Sequence, residues 1–240
     1  LMLDAMGAVL IEGAKYCGKT TMAAQQAAST LYMADPDTKT QNLTMAKTNI
    51  KRLLAGETPR LIDEWQIATQ IWDAVRGEVD KRGEDGQFIL TGSAVAPDDS
   101  GIYHSGTGRI GWLKLRTMSL WESGDSTGEV SLGALFNGSD EVDGTSSIDL
   151  DRLAYLVCRG GWPKGITKKS EAAALLQARE YFEAVTRYDI SRVDNTRRDT
   201  ELAKRLMRSY ARLQASQASA GTILADVKVH EADSISASTI

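Results

Sequence analysis

"IEGAKYCGKT", Ile11 to Thr20, decides how the rest of the chain is read. Within it, Gly13-Ala14-Lys15-Tyr16-Cys17-Gly18-Lys19-Thr20 fits the pattern G-x-x-x-x-G-K-[ST]. Each fixed position has a physical reason. Glycine at 13 and 18 allows backbone conformations and close approaches that a Cβ would obstruct. Backbone N–H groups from Gly13 to Thr21 can then converge on phosphate oxygens, helped by the amino terminus of the following helix. Lys19 supplies a cation for the β- and γ-phosphates, and the Thr20 hydroxyl is a Mg²⁺ ligand. The pattern arises by chance in roughly one chain in a hundred of this length. Its setting lowers that figure further, because the apolar run "GAVLIE" (7–12) leads into it and Ala-rich "TTMAAQQAAS" follows.

Two further polar motifs stand where strands end. "RLIDEWQ" closes on adjacent acids, Asp63 and Glu64. Asp63 is expected to hold Mg²⁺ through its water shell, and Glu64 to orient and deprotonate the attacking water. Alone, such a pair more often complements a helix dipole; the phosphate loop upstream is what changes the reading. "FILTGS" places Thr91 and Ser93 at the end of its strand, hydroxyls suited to sensing the γ-phosphate. Ligands of open α/β sheets sit beyond the carboxyl ends of the strands, so one edge accounts for all three motifs. Arg109, in "HSGTGRI", is the candidate for neutralising transition-state charge, in cis or in trans, against the alternative of a surface arginine opening a strand. Cys17 reads as loop filler, although alkylation there is expected to compete with nucleotide.

Strand-like runs alternate with helical patterns, which points to crossover units and a mostly parallel sheet. The expected strands are 7–12, "TLYMADP", "RLI" (60–62), "QFIL" (87–90) and "GRIGWLKLRTMSL" (108–120). Between them, 38–55 reads as one helix, and Ile67, Ile71, Val75 and Val79 share a helical face. Gly, Ser and Asp dominate 124–147, a surface connection with "LFNG" as its only apolar anchor. Beyond it the pattern is helical: Leu150, Leu153, Ala154 and Val157 share a face that Gly160-Gly161 stops, followed by helices at 168–187, 199–215 and 222–228.

The 240 residues carry a formal charge of −4, which argues against a chain that is basic all over. Two cysteines far apart and two histidines leave little material for a disulfide framework, a zinc site or a histidine triad. No apolar run reaches membrane length and no leader is visible, so a cytoplasmic address and no membrane partner are the expectation. Both ends read as cut, as in a fragment of a longer protein.

Taken together, "GAKYCGKTT", "RLIDEWQ", "FILTGSA", "GRI…LRTMSLWESG" and "RGGWP" resemble the AAA-type P-loop ATP-binding proteins of bacteria and archaea that carry a C-terminal domain of unknown function. The resemblance implies a three-layer P-loop NTPase sandwich over 1–124 and a surface connection over 125–147. It further implies a helical lid over 148–198 and the start of a winged-helix segment over 199–240. A later nuclease-like domain is expected to be missing. It also implies ATP and Mg²⁺ as cofactors, with ATPase roles for Lys19, Thr20, Asp63, Glu64 and Ser93. The family usually has proline where Ala14 stands, in a position of the loop that tolerates change.

Lys204, Arg208 and Arg212 line one side of the 199–215 helix. They read either as a DNA-facing edge or as the solvated side of an amphipathic helix. Three functions remain in view: an ATPase that switches or moves an attached effector domain, a nucleotide-gated binding module with little turnover and DNA as a candidate partner, and a small-molecule kinase. The kinase lacks an acceptor-anchoring constellation, and Asp63-Glu64 favours water. An arginine acting in trans would require self-association.

Overall fold

The computed structural model describes residues 1–92, 105–140, 143–190 and 199–231. Its five strands are β1 (Ala8–Glu12), β2 (Ser29–Tyr32), β3 (Arg60–Asp63), β4 (Phe88–Gly92) and β5 (Ile110–Lys114). They form one sheet in the order β2-β3-β4-β1-β5, and every ladder in it is parallel. Register aligns the strand ends. Ala8 lies opposite both Phe88 and Ile110, and Arg60 lies opposite Phe88. Glu12, Gly92, Asp63 and Lys114 therefore finish at one edge.

The strands are short continuous apolar runs because both faces of the sheet are covered. Side chains alternate across it. On one face Ala8, Leu10, Ile62, Phe88, Leu90 and Ile110 pack against α3 (Ile50–Leu54) and α4 (Gln70–Arg82), which contribute Leu53, Leu54, Ile71, Trp72, Val75 and Val79. On the other, Val9, Ile11, Leu61 and Ile89 meet Ala23 of α1 (Lys19–Gln26). This is the expected α/β sandwich of a P-loop NTPase.

Local chemistry sets the boundaries. The helix expected over 38–55 is two helices, α2 (Lys39–Thr48) and α3, because Asn49 leaves helical geometry and its side chain caps the Arg52 N–H. Gly83 ends α4 in the left-handed region, φ 67°. The strand expected over 108–120 stops at Lys114, since β1 turns away after Glu12 and offers no further ladder. Beyond it the Met118 N–H donates to the Gly161 carbonyl at 2.8 Å. The 124–147 segment holds one short exposed helix, α5 (Leu132–Phe136). Within "LFNG" Phe136 is 85% exposed while Leu135 is half-buried; the Asp125 side chain also turns inward, at 8% exposed.

α6 (Leu150–Arg159) starts at Asp149, whose carboxylate caps the Arg152 N–H, and stops at Gly160 with φ 68°. α7 (Pro163–Ile166) opens with proline at its first position, and α8 (Glu171–Ala184) runs on into a π-turn over Val185–Asp189. The chain divides into two compact units, Leu1–Ala178 and Arg179–Ile240. In the second, α9 (Thr200–Arg212) is capped by Asp199 and packs on α10 (Ala220–Glu231), burying Ala203, Ser209, Ile223 and Val227. The described elements of this unit are helical.

Candidate functional site

The loop between β1 and α1 is held close to the exit of β5. A Cβ on Gly13 would lie 2.2 Å from the Leu115 carbonyl oxygen, so only glycine fits there. Gly18 takes φ 103° and Tyr16 φ 61°, and together they curl the backbone back toward α1. Cys17 is buried beneath the loop with its Sγ 3.7 Å from the Leu115 carbonyl. Burial of that kind limits a reagent's access to the thiol and supports the reading of Cys17 as loop filler. Lys19 is buried as well, and its Nζ donates to the carbonyls of Gly13 at 2.9 Å and Ala14 at 2.8 Å. The ammonium thus sits inside the curl of the loop, where a phosphate would meet it.

α1 begins at Lys19 with no side-chain cap and no acid in its first turn, so its leading N–H groups are not taken by its own side chains. The Thr20 hydroxyl donates to Asp63 Oδ1 at 2.7 Å. Thr91, fully buried at the end of β4, donates to the same oxygen. β4 lies between β1 and β3 in the sheet, so its terminal hydroxyl bridges loop and acid. A hydroxyl and a carboxylate brought this close are hard oxygen donors. They suit Mg²⁺, which keeps several waters and takes phosphate oxygens as further ligands. Among the described residues no group of three or more His, Cys, Asp or Glu could form an all-protein metal cage.

Glu64 stands just past the strand in the left-handed region, φ 57° and ψ 44°. Gln66 Nε2 donates to its Oε2. The other end of that amide, Oε1, is buried without a partner among the described residues and packs over Gly92, where a Cβ would come within 2.5 Å of it. A cleft of about 510 Å³ joins these pieces, lined by Lys15, Tyr16, Gly18, Lys19, Thr20, Thr21, Glu64, Pro163 and Lys164. The volume lies in the range of small-molecule sites.

The sheet edge therefore gathers the loop, Asp63, Glu64 and Thr91. Ser93 lies outside the described residues. Arg109 is not brought to this edge. It precedes β5, whose first residue pairs with the first residue of β1, so it sits roughly 16 Å of strand from the loop end. There its Nε donates to Asp80 Oδ1 at 2.8 Å, and this pair holds the exposed Asp80 carboxyl below its usual range. The opening of a strand lies away from this chain's own cleft, which leaves the reading of Arg109 in trans as a proposal. Arg159 is not in the cleft either; its Nη2 meets Asp125 Oδ2 at 2.9 Å. Pro163 and Lys164 were not legible as site residues. Pro163 entered only as the last residue of "RGGWP", a stretch that carries no phosphate chemistry of its own.

Residues 6–123 match the family described as AAA domain, and residues 150–240 match a domain of unknown function, DUF8612. No curated protein matches the chain. Among the solved structures that do match is one described as "Structure of C. elegans PCH-2", at 13% identity and a TM-score of 0.30. The match covers 96% of this chain and 56% of that one, so the chain spans just over half its length. The first segment is thus similar to an AAA-type P-loop domain, a likeness that supports nucleotide binding. No described helix is long and apolar enough to cross a membrane.

Proposed function

We propose that the chain binds Mg-ATP at the cleft between the 13–20 loop and Glu64, and hydrolyses it to move a helical or effector segment beyond residue 148. One observation carries the reading: the Lys19 ammonium in the curl of the loop and the Thr20–Asp63 hydrogen bond stand beside Glu64 in one cleft. Lys19 and the backbone N–H groups of Gly13 to Thr21 bind the phosphates. When bound between Thr20 and Asp63, Mg²⁺ neutralises phosphate charge. Glu64 orients the attacking water and takes its proton, and Thr91 keeps the Asp63 carboxylate aimed at Thr20. Ser93, two residues beyond Thr91, retains its proposed role as a γ-phosphate contact.

A second reading rests on the Gln66 amide, which occupies one Glu64 oxygen. If that hydrogen bond persists with nucleotide bound, the protein is a nucleotide-gated module with negligible turnover. DNA and self-association remain proposals for the partner. The winged-helix reading of 199–240 draws on the capped, paired helices α9 and α10.

Steady-state Mg-ATP turnover, paired with calorimetry, tests both readings. Lys19→Ala is expected to lose binding. Glu64→Gln is expected to keep binding and lose hydrolysis by about 10²-fold or more. Wild-type binding without turnover hands the case to the second reading, and no heat on titrating nucleotide and Mg²⁺ sinks both.

A further inference from the structure

We propose that Asp125 is a positioning residue for the nucleotide cleft: by clamping Arg152 and Arg159 it fixes the turn that presents Lys164 to the phosphate loop. The inference rests on the cleft being a nucleotide site and extends it to a residue outside the cleft.

The clamp is built from buried charge. The Asp125 side chain is 8% exposed and that of Arg159 is 6% exposed. Asp125 accepts from Arg152 Nη2 at 2.7 Å, from Arg159 Nη2 at 2.9 Å and from Ser123 Oγ at 2.7 Å. The two arginines are seven residues apart on one face of α6, with the Tyr155 ring between them, 4.9 and 5.9 Å from their guanidinium carbons. A helix gripped at both ends by one carboxylate has little freedom to slide or roll.

What the helix carries is the cleft wall. Arg159 is its last residue, and its Nε also donates to the Gly160 carbonyl at 3.1 Å. At Gly161 the chain touches the segment leaving β5 so closely that a Cβ would lie 2.1 Å from the Met118 carbonyl oxygen. Pro163 follows, close enough to the loop that a Cβ on Gly18 would meet its ring at 3.7 Å. Lys164 is exposed on the same wall. Four residues separate the clamped Arg159 from Lys164, and the path between them is pinned at Gly161. A cation lining the cleft beside Lys19 and the loop N–H groups has one evident ligand, the polyphosphate. Charge-assisted contacts of that kind are among the stronger hydrogen bonds.

The ends of the clamp belong to different parts of the sequence. Met118 and Ser123 fall in the span matched to the AAA domain, and Arg152, Arg159 and Lys164 fall in the span matched to the domain of unknown function. Asp125 lies between them and ties the second span to the cleft of the first.

The test is a double-mutant cycle on Mg-ATP affinity by calorimetry, using Asp125→Asn and Lys164→Met. Each single change is expected to weaken binding about tenfold, and the double variant to bind no more weakly than Lys164→Met alone. Should Asp125→Asn fail to fold, Arg152→Gln breaks half of the clamp, with an expected loss of about threefold that vanishes in the Lys164→Met background. Unchanged affinity in the Asp125 or Arg152 variant, or losses that multiply in the double variant, would overturn the positioning role. Wild-type protein that binds no Mg-ATP would instead overturn the nucleotide reading itself, and the clamp's role with it.

Discussion

Thr20 and Asp63 lie 43 residues apart in the chain, yet the threonine hydroxyl donates to the carboxylate at 2.7 Å. Such a contact between the head of α1 and the tail of β3 leaves both groups facing the same ligand sphere. Isosteric Thr20→Val removes the hydroxyl and keeps the packing, and Asp63→Asn removes the charge and keeps the shape. Both are expected to abolish the Mg²⁺-dependent part of nucleotide affinity, a loss of about 10–100-fold for a metal-site ligand or its support. Calorimetric titrations of ATP with and without Mg²⁺ read this directly. A variant whose metal dependence matched wild type would remove the pair from the metal site.

Gln66 is the next handle. Its Nε2 donates to Glu64, and its Oε1 is buried over Gly92 with no partner among the described residues. A buried acceptor of this kind next to the proposed general base calls for an explanation, and a second acceptor for the proposed attacking water supplies one. Gln66→Met preserves length and packing but removes both polar ends. It is expected to lower kcat about tenfold, with ATP affinity within twofold of wild type. A rise in kcat would mean instead that the amide restrains Glu64, which would strengthen the low-turnover reading.

Much of this was legible because its physics is local in sequence. Gly13, Gly18, Lys19 and Thr20 announce a phosphate loop, and the acids after "RLI" gain meaning from it. The alternation of apolar runs and helical patterns gave all five strands, with β5 drawn too long because sequence does not show where its neighbour turns away. The misses are long-range. Strand register puts Arg109 at the far edge from its own chain's cleft, so the reading of it in cis fails while the one in trans stays a proposal. The bridging of Asp63 by Thr91 depends on β4 lying between β1 and β3, which strand count does not reveal. Lys164 reaches the cleft only through a clamp whose carboxylate, Asp125, sits in a stretch that reads as surface connection.

Gly13 tests the close approach. With a Cβ 2.2 Å from the Leu115 carbonyl oxygen and 2.9 Å from the Cys17 Sγ, Gly13→Ala forces the backbone of either the loop or the exit of β5 to move. Overpacking of this kind costs about 1–3 kcal/mol. A matching fall in unfolding free energy is expected in urea, together with loss of nucleotide binding. Wild-type stability would show that the two segments part easily, and that this glycine serves only the phosphate.

Asp125 links the clamp to pH. Burial alone would raise its carboxyl, but the hydrogen bonds from Ser123, Arg152 and Arg159 outweigh this and bring it down to about 2 from an ordinary 3.8. A folded-state value below the unfolded one adds stability that is complete above about pH 4 and fades as pH falls through about 2. The contribution at neutral pH is roughly 2 kcal/mol at most. Urea denaturation of wild type and Asp125→Asn between pH 6 and pH 2.5 should show the wild type's advantage narrowing as the pH drops. A constant advantage would mean that the arginines stabilise the fold without the Asp125 charge.

The basic side of α9 yields the last expectation. Arg212 forks onto Asp226, with contacts at 3.0 and 2.7 Å to a single carboxylate oxygen. Lys204 meets Glu183 at 3.0 Å and Glu201 at 3.4 Å, and the first of these contacts holds the Glu183 carboxyl below its usual range. Lys204 and Arg212 are thus matched by acids of their own unit, which lowers the net field a phosphate backbone would meet. Each phosphate neutralised on duplex DNA contributes about −0.9 to the slope of log affinity against log salt. The expected slope for this chain is shallower than about −2, with affinity no better than the non-specific range at physiological salt. Asp226→Asn, which releases Arg212, is expected to steepen the slope by about one. A wild-type slope of −3 or steeper, or ATP turnover stimulated by duplex DNA at stated salt, would return α9 to the DNA-facing role and show that these ion pairs open on contact.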